Sequence, residues 1–230
     1  MENKGYIHII NRTIDDITKI FKDLGFEIVL GQEVEDEYHN FDALNVPKNH
    51  PARDMQDTFW LKGMPERLLR THTSGTQIRY MGSNKPPLKI IAPGKVYRYE
   101  ATDKTHEVQF HQCEGLVVGK GINMGHLKFA LNSLIKNFFG EDVEIRLRPG
   151  YFPFVEPGIE IDMKRKNGEW IEVLGAGMVH PNVLNNVGIN PGEYSGFAFG
   201  LGIDRITMLK YKVEDIRFFY EGDIRLTNQF

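Results

Sequence analysis

One cysteine in 230 residues, Cys113, leaves no pair for an internal disulfide and no thiolate set for a zinc cage. His111-x-Cys113 therefore reads as strand alternation rather than as a metal pair. No apolar run approaches the roughly 20 residues that a bilayer-spanning helix needs. Met1-Glu2-Asn3-Lys4 leads into no signal-peptide core, so the cytoplasm is the expected compartment and no membrane partner is expected. The pattern G-x-x-x-x-G-K-[ST] is absent, and Gly119-Lys-Gly reads as a turn, which excludes a P-loop nucleotide site. Positive charge is in short supply too: 28 Lys+Arg stand against 31 Asp+Glu, for a net charge of −3. Composition gives no sign of the broad basic surface that supplies most nucleic-acid affinity.

What is present describes an ordinary globular chain. Hydrophobic residues at 41% and charged residues at 26% suit one substantial core, or at most two small domains. The stretch richest in chemistry runs from Gly94 to Leu116. Read with period two, Arg98 and Glu100 share one face of a strand, and Phe110, Gln112 and Glu114 share one face of its partner. Ala101 to His106 connects them, with Asp103 and Lys104 in an exposed loop. An arginine, two carboxylates, an aromatic and an amide are too polar to lie against a core unless something polar sits on them. A half-exposed hairpin with a solvated polar face fits the same alternation.

Around this hairpin the chain reads in order. Thr13 to Leu24 predicts a helix with Ile14, Ile17, Phe21 and Leu24 on one stripe, Asp15 and Asp16 near its start, and Gly25 as its stop. Phe26 to Leu30 predicts a buried strand. Arg70-Thr-His-Thr-Ser-Gly-Thr-Gln77 reads as a helix start capped by Ser74. Leu88 to Ile91 predicts a short strand, and Asn123 opens a helix with a wide apolar stripe from Met124 to Phe138. Arg146 to Arg148 predicts a strand leading into Tyr151-Phe-Pro-Phe-Val-Glu-Pro-Gly158, where the prolines fix the backbone around aromatic rings. A buried proline-rich loop with core phenylalanines accounts for that segment equally well. Ile159 to Lys164 and Trp170 to Leu174 alternate as a second hairpin about Lys166-Asn167-Gly168, carrying Glu160 and Glu172. Gly196-Phe-Ala-Phe-Gly-Leu-Gly-Ile-Asp-Arg205 runs from a strand into a helix. Arg205 in its first turn opposes the helix dipole, which points to an anionic partner.

Arg98-x-Glu100, a loop, then Thr-His-x-x-x-Phe-His-Gln-x-Glu-Gly115 resembles motif 2 of the class II aminoacyl-tRNA synthetases, and among them the α subunit of the phenylalanine enzyme. Arg70-Thr-His-Thr-Ser with Gln77, the Phe152-Pro-Phe-Val-Glu-Pro-Gly phrase and the motif 3 run to Arg205 resemble the same family in the same order. The likeness extends from His8 to Phe230, whose last residues resemble the natural end of the bacterial α subunit. Three departures accompany it: the N-terminal coiled-coil arm that reaches for tRNA is missing, Ile9 follows His8 where proline is customary, and Asp204 stands where glutamate is common.

The resemblance implies an α+β fold, an antiparallel sheet flanked by helices, with residues 1–230 as a single catalytic domain. It implies ATP-dependent activation of phenylalanine to its adenylate and transfer to tRNA(Phe), with ATP and Mg²⁺ as cofactors and a β subunit completing an α2β2 heterotetramer. The early helix, strand and His50-Pro-Ala-Arg-Asp54 segment would form motif 1 at a subunit interface, although an amphipathic helix packed on its own sheet fits that pattern too. Arg98 would bridge the substrate carboxylate and the α-phosphate, and His106 and Arg205 would hold the outer phosphates. Glu100 would accept from the adenine amino group, Phe110 would stack on adenine, and Gln112 and Glu114 would take the substrate ammonium. His72, Ser74 and Gln77 would line the amino-acid end, Phe152, Phe154 and Val155 would wall the pocket, and Ala198 would close its far end. Glu172 and Glu160 would serve ribose or Mg²⁺. Two other readings share the pattern: a paralogue that loads a non-tRNA acceptor, and a non-catalytic regulatory subunit, the latter disfavoured because Arg98, Glu114 and Arg205 are all present.

Overall fold

The computed structural model describes residues 5–50, 58–140, 143–164 and 168–230. In chain order its helices are α1 (Ile9–Asp23), α2 (Glu37–Asn40), α3 (Ser74–Ser83), α4 (Met124–Phe139), α5 (Pro181–Asn186), α6 (Ile203–Tyr211) and α7 (Ile224–Thr227). Its strands are β1 (Glu27–Ile28), β2 (Val34–Asp36), β3 (Arg67–Leu69), β4 (Leu88–Tyr97), β5 (Gln109–Gly119), β6 (Ile145–Phe152), β7 (Val155–Lys164), β8 (Trp170–Val179) and β9 (Ser195–Gly202). One sheet runs β1-β4-β5-β9-β8-β7-β6, and β2 with β3 makes a small second one. β1 lies parallel to β4, while every later neighbour in the large sheet is antiparallel. This is the expected α+β architecture.

Alternation along β5 decides which face meets what. Cys113 and Val117 belong to the core built with Ile17 and Phe21 of α1 and with Leu127, Leu131 and Leu134 of α4, while Gln112, Glu114 and Leu116 face the other way, over a cavity. Phe21 is fully buried, its ring 5.0 Å from both Phe26 and Phe199. Truncating it to alanine would cost about 3–5 kcal/mol. Phe199 in turn lies flat against β5, where a Cβ on Gly115 would fall 2.1 Å from its ring. Glycine is required there by the close approach of ring to backbone.

Several boundaries differ from the sequence reading, each for a local reason. α1 begins at Ile9, four residues before Thr13, because the His8 ring accepts from the Ile10 amide and caps it. Asp15 and Asp16 thus sit inside the helix, and Asp16 pairs with Lys210 at 2.8 Å. β1 spans only Glu27–Ile28 and is exposed, an edge strand rather than a buried one. The short strand at Leu88 and the first hairpin arm are one ten-residue strand, β4, which ends at Tyr97. Arg98 and Glu100 therefore lie just beyond it, although the Arg98 amide still donates to Val108 O at 3.0 Å. Tyr151 to Gly158 is a tight β6–β7 hairpin rather than a loop. Residues 51–57 of the motif 1 segment and Lys166-Asn167 of the second turn lie outside the described residues.

Candidate functional site

A cavity of about 520 Å³ opens over the sheet where β5, β8 and β9 present their polar or small residues. Every side chain singled out in the sequence lines it except Glu160. Glu160 instead pairs with Arg148 on the neighbouring strand at 2.8 Å, so the expectation that it reaches a bound metal is corrected. Period two gave its face but not the cross-strand arginine that claims it.

The centre of the cavity is a buried carboxylate. Glu114 accepts from the Thr73 amide at 3.1 Å, from the Gln77 side chain at 3.0 Å and from the Ser74 hydroxyl. Ser74 is thus no helix cap: Thr73 occupies that position without a side-chain bond, and the Ser74 hydroxyl is spent on Glu114. Burial pushes the Glu114 carboxyl above its ordinary value of 4.5, while the Ser74 and Thr73 donors and the charges of Arg98 and Arg70 pull it down; burial wins.

Beside it, the Gln112 Oε1 and His72 Nδ1 atoms are buried with no hydrogen-bond partner. Burial, aided by the Arg98 charge, lowers the His72 pKa to about 3 and keeps the ring neutral. A buried carboxyl flanked by an unpaired acceptor calls for a ligand that brings N–H donors, above all a cationic one.

Two arginines, with carboxylates between them, mark the other end. Arg98 is fixed by donating Nε to Thr71 O at 3.1 Å and lies 5.1 Å from the Phe110 ring centre, with its fork directed at the cavity it lines. Arg205 is exposed in the first turn of α6 and forms no ion pair with a described carboxylate. His106 stands at the rim of the exposed loop, its Nδ1 engaged by Asp103 at 3.1 Å. Glu100 sits 3.9 Å from Arg98, too far for a strong pair. Glu172 lines the cavity with an exposed side chain.

The third region is apolar. Phe152 and Phe154 stack at 5.9 Å, Phe152 resting on the backbone of Gly175, where a Cβ would come within 2.8 Å of it. Val155 and Ala198 continue this wall, joined by Leu44, Met81 and Val183, which the sequence reading did not identify. A zwitterion with an apolar side chain and a polyanion can be held side by side in this arrangement.

The sequence reading also missed what holds the second wall. Asp204 is 1% exposed and accepts from the His111 amide at 2.7 Å and from the Tyr220 hydroxyl. Burial and then the Asp204 charge push the Tyr220 phenol far above its ordinary value, so it stays a donor. The start of α6, and with it Arg205, is thereby tied to β5 next to Phe110. Tyr220→Phe removes one donor and should lower stability by about 1–2 kcal/mol, or roughly 2–8 °C in melting temperature. Calorimetry checks this; an unchanged melting temperature would show that another group takes the phenol's place.

The chain matches the model of the tRNA synthetase class II core domain over residues 1–230. It is 57% identical over its whole length to the "Phenylalanine--tRNA ligase alpha subunit" of Pectobacterium atrosepticum, covering 69% of that protein. Against the protein of the same name from Klebsiella pneumoniae it is 56% identical, again over all of this chain and 69% of the other. Among solved structures, the pyrrolysyl-tRNA synthetase of Desulfitobacterium hafniense superposes with a TM-score of 0.72 at 14% identity, over 93% of this chain and 74% of that one, a likeness of fold.

Proposed function

Since the chain belongs to the class II tRNA synthetases, among the α subunits of phenylalanine–tRNA ligase, we propose that the cavity over β5 is where phenylalanine and ATP meet. The activity is activation of phenylalanine with ATP and charging of tRNA with the product. The observation that carries the site assignment is the juxtaposition of the buried Glu114, the unpaired Gln112 acceptor and the Arg98 fork along one cavity.

In this reading Glu114 and Gln112 receive the substrate ammonium, and Phe152, Phe154 and Val155 enclose the ring, each edge-to-face contact adding about 0.5–1.5 kcal/mol beyond burial. His72 stays neutral and, with Ser74 and Gln77, completes the polar end. A carboxylate oxygen of phenylalanine attacks the α-phosphorus in line; the new O–P bond forms as the bond to the bridging oxygen breaks, and pyrophosphate leaves with that electron pair. No protein nucleophile is needed, because positioning and charge stabilisation do the work. Arg98 satisfies one oxygen of each reactant with a planar fork, which lysine cannot do. Phe110 stacks on adenine, Glu100 accepts from its amino group, and His106 and Arg205 hold the outer phosphates.

Mg²⁺ fits this donor set, since Glu172 offers a hard oxygen at the cavity with no described side chain bonded to it. When bound, the ion would neutralise phosphate charge. We assign the chain to an α2β2 assembly with a β subunit, the cytoplasm as its compartment, and residues 1–230 as a single catalytic domain. No described helix is long and apolar enough to cross a membrane. With a net charge of −3, much of the tRNA grip is assigned to surfaces other than this chain's.

The test is amino-acid-dependent ATP–pyrophosphate exchange with each of the twenty amino acids, with and without the β subunit. Exchange with phenylalanine supports the reading; preference for another amino acid would favour a paralogue, and silence in both arms a non-catalytic subunit. Ala198→Gly should admit para-substituted phenylalanines, because an apolar pocket rejects an added hydroxyl mainly by lack of space. Unchanged discrimination in the same assay would remove Ala198 from the far end.

A further inference from the structure

The aromatic wall of the cavity belongs to a hairpin turn whose carbonyls are held from outside. Pro153 O accepts from Asn45 Nδ2 at 2.7 Å, and Phe154 O accepts from the His180 amide at 2.9 Å. Asn45 Oδ1 in turn accepts from Asn182 Nδ2 at 2.9 Å, so the Asn45 amide plane is aimed from behind. The His180 ring accepts from the Asn182 amide at 3.1 Å, which fixes the first turn of α5. Asn186 of the same helix donates to Ala43 O at 3.2 Å. Segments near residues 45, 153 and 182 are thus linked, and each places a side chain on the apolar end of the cavity: Leu44, Phe154 and Val183.

Asn45 has φ 62° and ψ 28°, a left-handed conformation that asparagine tolerates better than most residues. Its backbone turns there while its amide crosses to Pro153. Neither Asn45 nor Asn182 lines the cavity.

Resting on the reading of this cavity as an amino-acid site, we propose that Asn45, aimed by Asn182, is a positioning residue that sets the width of the aromatic pocket and so its selectivity among aromatic amino acids. A pocket wall free to move by a few tenths of an ångström loses contact with the ring and gains room at its para edge. The pair acts on the ring of the amino acid only through the Pro153–Phe154 turn and leaves the cationic end untouched.

The experiment uses the holoenzyme with its β subunit and three variants: Asn45→Gly, which keeps the left-handed turn, Asn45→Asp, which sets an acceptor against Pro153 O, and Asn182→Ala at an exposed position. Exchange kinetics with phenylalanine, tyrosine and ATP are measured for each, with active sites titrated. Expected are a KM for phenylalanine raised about tenfold, corresponding to the loss of one hydrogen bond, and a phenylalanine-over-tyrosine preference reduced by a similar factor. Asn182→Ala should do less in the same direction, and the KM for ATP should stay within about twofold in all three. If Asn45→Gly and Asn182→Ala lower only the melting temperature or the active fraction, with KM and preference unchanged, the role is merely structural and the proposal falls. A wild-type holoenzyme without phenylalanine-dependent exchange would overturn the underlying reading as well, and that outcome is visible before any variant is made.

Discussion

Arg98→Ala should slow phenylalanine-dependent pyrophosphate exchange by about a thousandfold or more, the loss expected for a charged donor aimed at developing transition-state charge. The argument rests on how the side chain is held. Its Nε is committed to Thr71 O at 3.1 Å, and its guanidinium is 5.1 Å from the Phe110 ring centre, so the terminal nitrogens are pre-aimed and no ordering is left for the moment of reaction. Burial lowers the Arg98 pKa, yet an arginine starts so high that it stays charged throughout the working range. Arg98→Lys keeps a charge and loses the fork, and should recover only part of the rate, staying about a hundredfold below wild type. Both variants weaken the hold on the phenylalanine carboxylate and leave the aromatic wall in place, so the KM for phenylalanine should rise, but by a smaller factor than kcat falls. Rapid-quench measurement of adenylate formation reads the chemical step directly. A rate within tenfold of wild type in Arg98→Ala would show that the attacking and attacked groups are bridged by something else.

Much of this site was legible in the sequence because β5 is a strand with one face on a core and one on a cavity. The alternation of Gln112, Cys113, Glu114 and Leu116 states both faces at once, and the second hairpin repeats the lesson. What alternation cannot state is the partner across the strand. The resemblance gives Glu160 to ribose or Mg²⁺, but Arg148 lies directly opposite and pairs with it. Ser74 was read as a cap because a hydroxyl at a helix start has that job by default; burial of Glu114 forty residues away changed its partner. Asn45 carried no local signal, since its meaning depends on Pro153, 108 residues along the chain. The start of α1 was missed because a histidine side chain did the capping that serine or aspartate usually does. Resemblance to a known family compensated for residues that line the cavity and not for those that brace them.

Glu114→Gln should raise the KM for phenylalanine by about 10- to 100-fold, the range set by losing a charge-assisted hydrogen bond of about 1.5–3 kcal/mol. Three donors converge on the native carboxylate, from Thr73, Ser74 and Gln77. A glutamine oxygen turned toward Ser74 and Gln77 sets its NH₂ against the Thr73 amide, donor facing donor, and the ammonium loses its counter-charge. The pH dependence carries a definite sign. Burial raises the Glu114 pKa above the ordinary 4.5, so the folded chain without substrate binds this proton more tightly than the unfolded chain does. Its contribution to stability is complete below 4.5 and is lost as pH rises through the raised value. Phenylalanine opposes that loss, because its ammonium favours the ionised carboxylate. In the wild type, affinity for phenylalanine should therefore climb as pH rises from 4.5 through the raised pKa and then level off, while affinity for ATP shows no such step. In Glu114→Gln the step should vanish. Calorimetric titration of phenylalanine across this range separates the cases: a step that survives in the variant belongs to another group, and a wild type with no step would mean that Glu114 is already ionised in the empty pocket.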